Sequence, residues 1–215
     1  EYEVILDQTV FYPHGGGQPS DKGHMTSPTT VFNVEKVSKS RETSDIIHRG
    51  TFTEQPFTID LPVKCKIDGD VRLLHSRYHL AGHLIRMAFI DLEVYDKWQP
   101  TLGNHSPTGA YVEFTQSDPT TTPEQVKSLM ERLEPKCNEL VKRDLKSVCV
   151  QVSPKDIPED CQWMLKEGMR SFETVRINRV ETLDNYWMPC GGTLCSRLGE
   201  LGAMKITKYS FKKGL

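Results

Sequence analysis

The sequence predicts an α+β protein, because its first third and the rest of the chain follow different hydrophobic periodicities. Before residue 68, short, partly alternating segments such as 30–39 and 57–68 are rich in β-branched residues and separated by Gly, Pro, Ser and Thr, which is typical of strands. From residue 71, apolar residues recur at 73/74, 80/81, 84/85 and 87/88, the spacing of an amphipathic helix. We therefore expect an all-β domain over residues 1–67 and a second domain over residues 68–215.

The second domain is expected to mix helices and strands. A helix is predicted to begin at Pro123, because a threonine precedes it and proline is favoured in the first helical turn. Pro135 is expected to bend this helix or make it restart. The other expected elements are strands at 109–114, 147–152 and 173–181 and a short helix within 154–168.

The composition of the 215 residues is that of a soluble protein, because 37% are hydrophobic and no apolar run approaches the roughly 20 residues that span a bilayer. We expect no membrane partner. The six cysteines are scattered through mostly apolar segments, which suits reduced thiols and a cytoplasmic location better than a disulfide framework. The sequence begins with Glu1 rather than Met, so no leader can be read from it.

A formal net charge of −2 argues against a protein that coats nucleic acid through bulk electrostatics, and no DNA partner is expected. Two local clusters of positive charge leave an RNA contact open. One comprises Lys36, Lys39, Arg41 and Arg49, and the other comprises Lys205, Lys208, Lys212 and Lys213, interleaved with Tyr209 and Phe211. On this pattern alone, solvated lysines near a chain end are the simpler interpretation.

Three histidines mark the helix predicted after residue 70. His75, His79 and His83 are four residues apart, so they lie along one stripe of the helix. Two imidazoles one turn apart can converge on a metal ion about 2.0–2.1 Å from each nitrogen. By itself, the spacing is more often that of a polar, partly buried helix face.

The sequence Pro-Cys-Gly-Gly at 189–192 follows a predicted β segment and forms the second candidate site. Its glycines allow a tight bend, and a thiolate at Cys190 would be a soft metal ligand. A structural turn with an incidental cysteine explains this stretch as well. Together with two histidines of the helix, however, Cys190 completes a His/His/Cys set, which suits zinc with an open fourth position and therefore catalysis.

The third candidate is the stretch FYPHGGGQPSDKG at 11–23, with three consecutive glycines. Such a stretch is either an ordinary tight turn or a place where bare backbone approaches a ligand.

In order and spacing, FYPHGGGQPSDKG, HSRYHLAGHLI at 75–85 and PCGGT at 189–193 resemble the motifs of the free-standing alanyl-tRNA editing proteins, which are similar to the editing domain of alanyl-tRNA synthetase. The resemblance covers residues 4 to about 210. It implies an N-terminal glycine-rich β-barrel joined to an α+β editing core like that of the threonyl- and alanyl-tRNA synthetases. This agrees with the change of hydrophobic periodicity near residue 68.

The resemblance implies that His79, His83 and Cys190 are zinc ligands. The family's next ligand, a histidine after CGGT, is Leu194 in this sequence, and leucine cannot coordinate a metal. Cys195 would have to turn inward to replace it, because adjacent side chains on extended backbone point to opposite sides. Otherwise water or substrate completes the coordination, or zinc is bound weakly or not at all.

Further roles are implied for residues around these ligands. Gln18 and Thr193 would orient the aminoacylated terminal adenosine, and His75 would relay a proton. Relatives often carry a threonine near Lys22, so recognition of the amino acid is left open. Backbone contacts with the substrate are implied for Gly15, Gly16, Gly17, Gly191 and Gly192.

The implied activity is hydrolysis, in trans, of mischarged tRNA(Ala), with seryl-tRNA(Ala) expected before glycyl-tRNA(Ala). A pocket for alanine cannot strongly reject serine or glycine, because differences of this size amount to roughly 1–3 kcal/mol, so a second, hydrolytic site is required. Two alternatives stay open. One is a catalytically silent tRNA-binding or partner module that has lost zinc at Leu194, and the other is a metal-dependent hydrolase of small esters or thioesters.

Overall fold

The computed structural model describes residues 1–165 and 167–212, so Lys213 of the second basic cluster lies outside the described residues. The architecture is α+β, as predicted, with antiparallel sheets and two long helices. No helix in the described ranges is both long and apolar enough to cross a membrane.

The first 67 residues form an antiparallel five-stranded sheet, with strand order β1-β4-β3-β2-β5. The strands are β1 (Tyr2–Ile5), β2 (Gly23–Thr26), β3 (Val31–Lys39), β4 (Ile46–Phe52) and β5 (Lys64–Ile67). Phe11, Met25 and Phe32 lie at the centre of a small core on this sheet. The pairings of the described residues leave β1 and β5 as edges, so the closed barrel implied by the resemblance is not confirmed.

Helix α1 (Gly69–Asp91) begins directly after β5, so the predicted domain boundary falls between these two elements. The Asp68 carboxylate caps the helix by accepting from the backbone N–H groups of Asp70 and Val71, both at 3.1 Å. The buried side of α1 carries the three histidines of the stripe followed by Leu80, Leu84 and Met87.

A hairpin and a second long helix follow. The hairpin pairs β6 (Trp98–Asn104), which the sequence did not predict, with β7 (Tyr111–Gln116). Helix α2 (Pro123–Arg143) begins with a capping box formed by Thr122 and Gln125. Of the two outcomes predicted at Pro135, the restart is wrong, because α2 continues through it while Leu133, Cys137 and Leu140 pack into the main core. The bend stays a prediction.

The last sheet is three-stranded with order β10-β9-β8, formed by β8 (Ser147–Val152), β9 (Val175–Val180) and β10 (Trp187–Pro189). The short helix expected within 154–168 is replaced by 3₁₀ turns at Pro154–Asp156, Glu159–Met164 and Glu167–Ser171. Pro158 ends the first turn, because proline cannot continue its hydrogen bonding. Helices α1 and α2 bury one shared core with residues that follow β9.

Candidate metal centre

Helix α1 and the turn after β10 bring three metal-ligating side chains together. His79, His83 and Cys190 are each buried, and their ligand atoms all lie within 4.8 Å of one another. The two imidazoles are one helical turn apart, with ring centroids separated by 5.1 Å. The Cys190 Sγ lies 3.6 Å from the His79 Nε2. These three side chains form a group that can hold a metal ion, which we call the His/His/Cys group.

Burial keeps both imidazoles neutral. Loss of solvation holds the pKa of His79 at about 2, with further lowering by His83. Loss of solvation likewise holds the pKa of His83 at about 3. The same effect raises the pKa of the Cys190 thiol to about 11, so a metal that binds the thiolate must displace a proton.

Gln18 fixes the orientation of the His79 ring. The Gln18 Oε1 accepts a 2.9 Å hydrogen bond from the backbone N–H of Thr193 and lies 2.7 Å from the His79 Nδ1. Because a backbone N–H can only donate, the oxygen is assigned to this side of the amide, and the His79 Nδ1 must donate to it. The Nε2 lone pair of His79 is then directed away from Gln18 and is available to a metal.

Thr193 joins the glycine stretch to α1. Its hydroxyl accepts a 2.8 Å hydrogen bond from the Gln18 Nε2 and lies 2.7 Å from the Ser76 hydroxyl. The three sequence motifs therefore meet at one place. Gln18 is fully buried, and only one hydrogen of its amide is left for any other group.

The glycine stretch is a tight turn. Gly15 and Gln18 exchange backbone hydrogen bonds of 3.2 and 3.0 Å, and the φ angles of Gly16 and Gly17 between them are +57° and +76°. Two successive positive φ values define a type I′ turn, which favours glycine. A Cβ on Gly17 would also lie 2.1 Å from the carbonyl oxygen of Gly103, so the turn packs directly on β6.

The turn is tied to α1 on its other side by an ion pair between Asp21 and Arg72. The Asp21 carboxylate is fully buried and also accepts a 2.7 Å hydrogen bond from the backbone N–H of Tyr12. This contact places Gln18 against the middle of the helix.

The cysteine turn is held from the neighbouring strand. The Arg176 Nη1 on β9 donates to the carbonyl oxygens of Cys190 and Gly192, at 2.6 and 2.8 Å. A Cβ on Gly192 would lie 2.1 Å from the His79 Cε1, whereas a Cβ on Gly191 would meet no atom within 4 Å. Close packing against the His79 ring therefore requires a glycine at 192 alone.

His83 is oriented by Tyr186, whose hydroxyl lies 2.5 Å from the His83 Nδ1 and is fully buried. Burial raises the pKa of Tyr186, which keeps the phenol protonated. Tyr186 therefore contacts the Nδ1 atom of His83, as Gln18 contacts the Nδ1 atom of His79.

His105, which the sequence did not predict as a site residue, stacks on His79 with ring centroids 4.4 Å apart and an interplanar angle of 14°. Its ring fits against two glycines, since a Cβ would lie 2.4 Å from it on Gly82 and 2.8 Å from it on Gly103. The sequence did not predict Arg176 or Tyr186 as site residues either. The only signal for His105 was an isolated histidine between turn residues, and Arg176 and Tyr186 carried none.

Other predicted site residues lie outside the His/His/Cys group. The His75 Nδ1 is buried and has no hydrogen-bond partner among the described residues. Burial lowers the pKa of His75, while the Asp21 charge raises it and the Lys22 charge lowers it. Leu194 packs against the main core, and Cys195 is buried within it. Cys195 therefore does not replace the missing ligand in this arrangement.

Comparison with known proteins shows what this chain is similar to. Residues 1–71 match the family model described as tRNA synthetases class II (A). Almost the whole chain is similar to curated alanine–tRNA ligases. The chain is 31% identical over 214 residues to that of Halorubrum lacusprofundi, covering 96% of this chain and 21% of the ligase.

Two further relatives agree. The alanine–tRNA ligase of Acidothermus cellulolyticus is 28% identical over 208 residues, covering 97% of this chain and 22% of the ligase. That of Pyrococcus abyssi is 28% identical over 211 residues, covering 95% and 21%. The chain thus spans about a fifth of the length of the relatives it matches. These findings confirm the similarity to alanyl-tRNA synthetases that the three motifs predicted.

Proposed function

We propose that this protein is an editing hydrolase that acts in trans and removes the wrong amino acid from mischarged tRNA(Ala), with seryl-tRNA(Ala) as the principal substrate and glycyl-tRNA(Ala) as a second. One observation carries the proposal: Gln18 links the glycine turn, α1 and the cysteine turn in a single buried cluster around the His/His/Cys group. Similarity to alanine–tRNA ligases supplies the substrate class.

We propose zinc as the metal. For tetrahedral zinc with bonds of about 2.3 Å to sulfur and 2.0–2.1 Å to nitrogen, the sulfur and nitrogen ligands stand about 3.6 Å apart. The separation between the Cys190 Sγ and the His79 Nε2 is 3.6 Å, which supports this assignment. Bound zinc would act as a Lewis acid towards the ester carbonyl. With three protein ligands, it would keep a position open for catalysis.

The side chains around the His/His/Cys group would position the ligands, orient the substrate and transfer a proton. Gln18 acts mainly as a positioning residue, because its amide is largely engaged with His79 and Thr193. Its one free amide hydrogen and the Thr193 hydroxyl would orient the terminal adenosine. The His75 Nδ1, which has no partner in the described part of the chain, would accept or deliver a proton. Backbone contacts with the adenosine would come from the two glycine turns at Gly15–Gly17 and Gly191–Gly192.

The test is deacylation of seryl-tRNA(Ala) by zinc-loaded protein, with correctly charged alanyl-tRNA(Ala) as the specificity control. We expect rapid release of serine, little release of alanine, and loss of activity in His83→Ala. Intact seryl-tRNA(Ala), under conditions in which a proven editing enzyme cleaves it, would refute the proposal.

One observation favours a second candidate, a silent tRNA-binding or partner module. Leu194 stands where the editing proteins have a histidine ligand, and it packs against the main core. This alternative predicts tRNA binding without turnover, and no metal in protein purified without chelators. Stoichiometric zinc together with turnover would eliminate it.

A further inference from the structure

The segment of residues 203–212 that follows the last 3₁₀ turn, here called the tail segment, is fixed to α2 by hydrogen bonds. Met204 exchanges two with the Asn138 side chain, at 2.8 and 2.9 Å. The backbone N–H of Ile206 donates to the Glu134 carboxylate at 2.7 Å. Met204 and Ile206 also pack on the main core. The tail segment is therefore held against α2 at Met204 and Ile206, on either side of Lys205.

The tail segment borders a groove of about 1470 Å³. The opposite side of the groove is formed by α1 and the β6–β7 hairpin. Its floor is apolar where Phe89, Phe114 and Leu133 line it. A groove of this size exceeds what the single amino acid of an aminoacyl ester would fill.

The rim of the groove is positively charged although the whole chain is not. Among the described residues that line it, four are cationic and two are anionic; these are Arg77, Lys205, Lys208 and Lys212 against Glu113 and Asp118. Aromatic rings stand between the charges. Tyr111 and Tyr209 line the groove, and each is 47% exposed and thus accessible to a ligand.

The lining of the groove includes residues next to the His/His/Cys group. His105 lines it, and the ring of His105 stacks on that of His79. Gly82, on the helical turn that carries His83, lines it as well. A chain lying in the groove would therefore reach within one ring of the candidate metal ligands.

We propose that this groove binds the single-stranded 3′ end of an RNA, with phosphates against Lys205 and Lys208, bases stacked on Tyr209 and Tyr111, and the strand leading past His105 to the terminal adenosine at the His/His/Cys group. Alternating cations and exposed aromatic rings are the features with which proteins hold single-stranded nucleic acid. The inference rests on the proposed function for the identity of the RNA, a tRNA acceptor end, but not for the groove's binding chemistry.

The test uses unacylated tRNA(Ala) and an oligoribonucleotide of its single-stranded 3′ end, with binding measured by fluorescence anisotropy over a range of salt concentrations. For Lys205→Ala/Lys208→Ala, we expect affinity to fall on the order of tenfold. The slope of log K against log salt should fall by about 1.4, since each phosphate contact on a single strand contributes about 0.7. The matched control is Lys36→Ala/Lys39→Ala on β3, which should bind as wild type does.

A second pair of variants tests stacking. Tyr209→Ala should weaken binding on the order of tenfold, whereas Tyr209→Phe keeps the ring and should bind as wild type does. Thermal unfolding of each variant controls for damage to the fold. Wild-type affinity in both the double-lysine variant and Tyr209→Ala, or an equal loss in the β3 control, would overturn the proposal.

Hydrolysis of a serine ester of adenosine separates this inference from the proposed function, because that substrate has no phosphate chain. Hydrolysis of this ester by the wild type therefore tests the proposed function without testing the groove. If the wild type hydrolyses no ester but binds RNA through the tail segment, the proposed function fails and the groove assignment stands. If the protein hydrolyses the ester and the tail variants bind RNA normally, the groove assignment fails alone.

Discussion

At the scale of single residues, Gln18 connects the parts of the site that are furthest apart in sequence. Its amide oxygen accepts from both His79 and the backbone of Thr193, and its burial is complete. A buried amide in this position sets the tautomer of the metal-ligating imidazole, which is worth 10- to 100-fold in metal affinity in other metal sites.

Replacement of Gln18 should therefore weaken the metal site without removing a ligand. We expect Gln18→Leu to lower zinc affinity about 10- to 100-fold, because the His79 Nδ1 would lose its acceptor. Gln18→Glu keeps an acceptor for that nitrogen and should retain more of the affinity. Competition with a chromophoric chelator measures both. Equal affinity of Gln18→Leu and wild type would show that His79 is oriented by other contacts.

The two neighbouring cysteines of the last turn should behave differently. Cys190→Ala should lose bound zinc, because its thiol belongs to the His/His/Cys group, whereas Cys195→Ala should retain zinc, because Cys195 lies in the main core. Elemental analysis of protein purified without chelators gives the result. Loss of zinc in Cys195→Ala at unchanged thermal stability would mean that Cys195 turns inward to coordinate the metal.

At the scale of elements, the site depends on how closely the cysteine turn approaches α1. Arg176 on β9 donates to two carbonyl oxygens of this turn, and Gly192 lies directly against the His79 ring. The turn is thus clamped between a strand and a helix. These contacts hold the turn in place beside the His79 ring.

A single methyl group should disturb this approach. Gly192→Ala would place a Cβ 2.1 Å from the His79 Cε1, so we expect lower stability and weaker zinc binding. Gly191→Ala is the matched control, because its Cβ would meet no atom within 4 Å. Thermal unfolding and zinc titration of both variants provide the comparison. If the two variants behave alike, the turn is free to move away from α1.

At the scale of the whole molecule, folding buries most of the histidine side chains. Burial lowers the pKa of five of them, namely His48, His75, His79, His83 and His105. Loss of solvation is the largest cause in each case. The folded chain therefore keeps these rings neutral under conditions in which the unfolded chain protonates them.

Stability of the metal-free protein should consequently fall in acid. Below the ordinary histidine pKa of about 6.5, the unfolded chain binds protons that the folded chain does not, so the free energy of unfolding decreases as pH falls. Each such proton contributes up to about 1.4 kcal/mol per pH unit. Urea unfolding between pH 8 and pH 5 should show little change from these groups above pH 7 and a steady loss below pH 6.5. A flat or rising stability towards pH 5 would contradict this.

Local patterns were sufficient to predict much of the architecture. The β-rich first third, helix α1, the start of α2 and strands β8 and β9 follow from hydrophobic periodicity and capping residues, which act over a few neighbours. Because these signals act only over a few neighbouring residues, they also explain the wrong predictions. Residues 154–168 contain helix-forming and turn-forming signals together, and Pro158 divides them into short 3₁₀ turns. At Pro135, burial of the flanking residues kept α2 continuous.

The sequence by itself determined the candidate ligands, because the i, i+4 spacing of His79 and His83 places both imidazoles on one helical face whatever the rest of the chain does. Only the tertiary structure decided what surrounds them. Gln18 lies 61 residues from His79 and 175 from Thr193, and His105 stacks on His79 across a separate hairpin. Contacts between distant segments depend on the path of every intervening turn, which no local spacing encodes. For the same reason, only the fold placed Cys190 beside the histidines and Cys195 in the core.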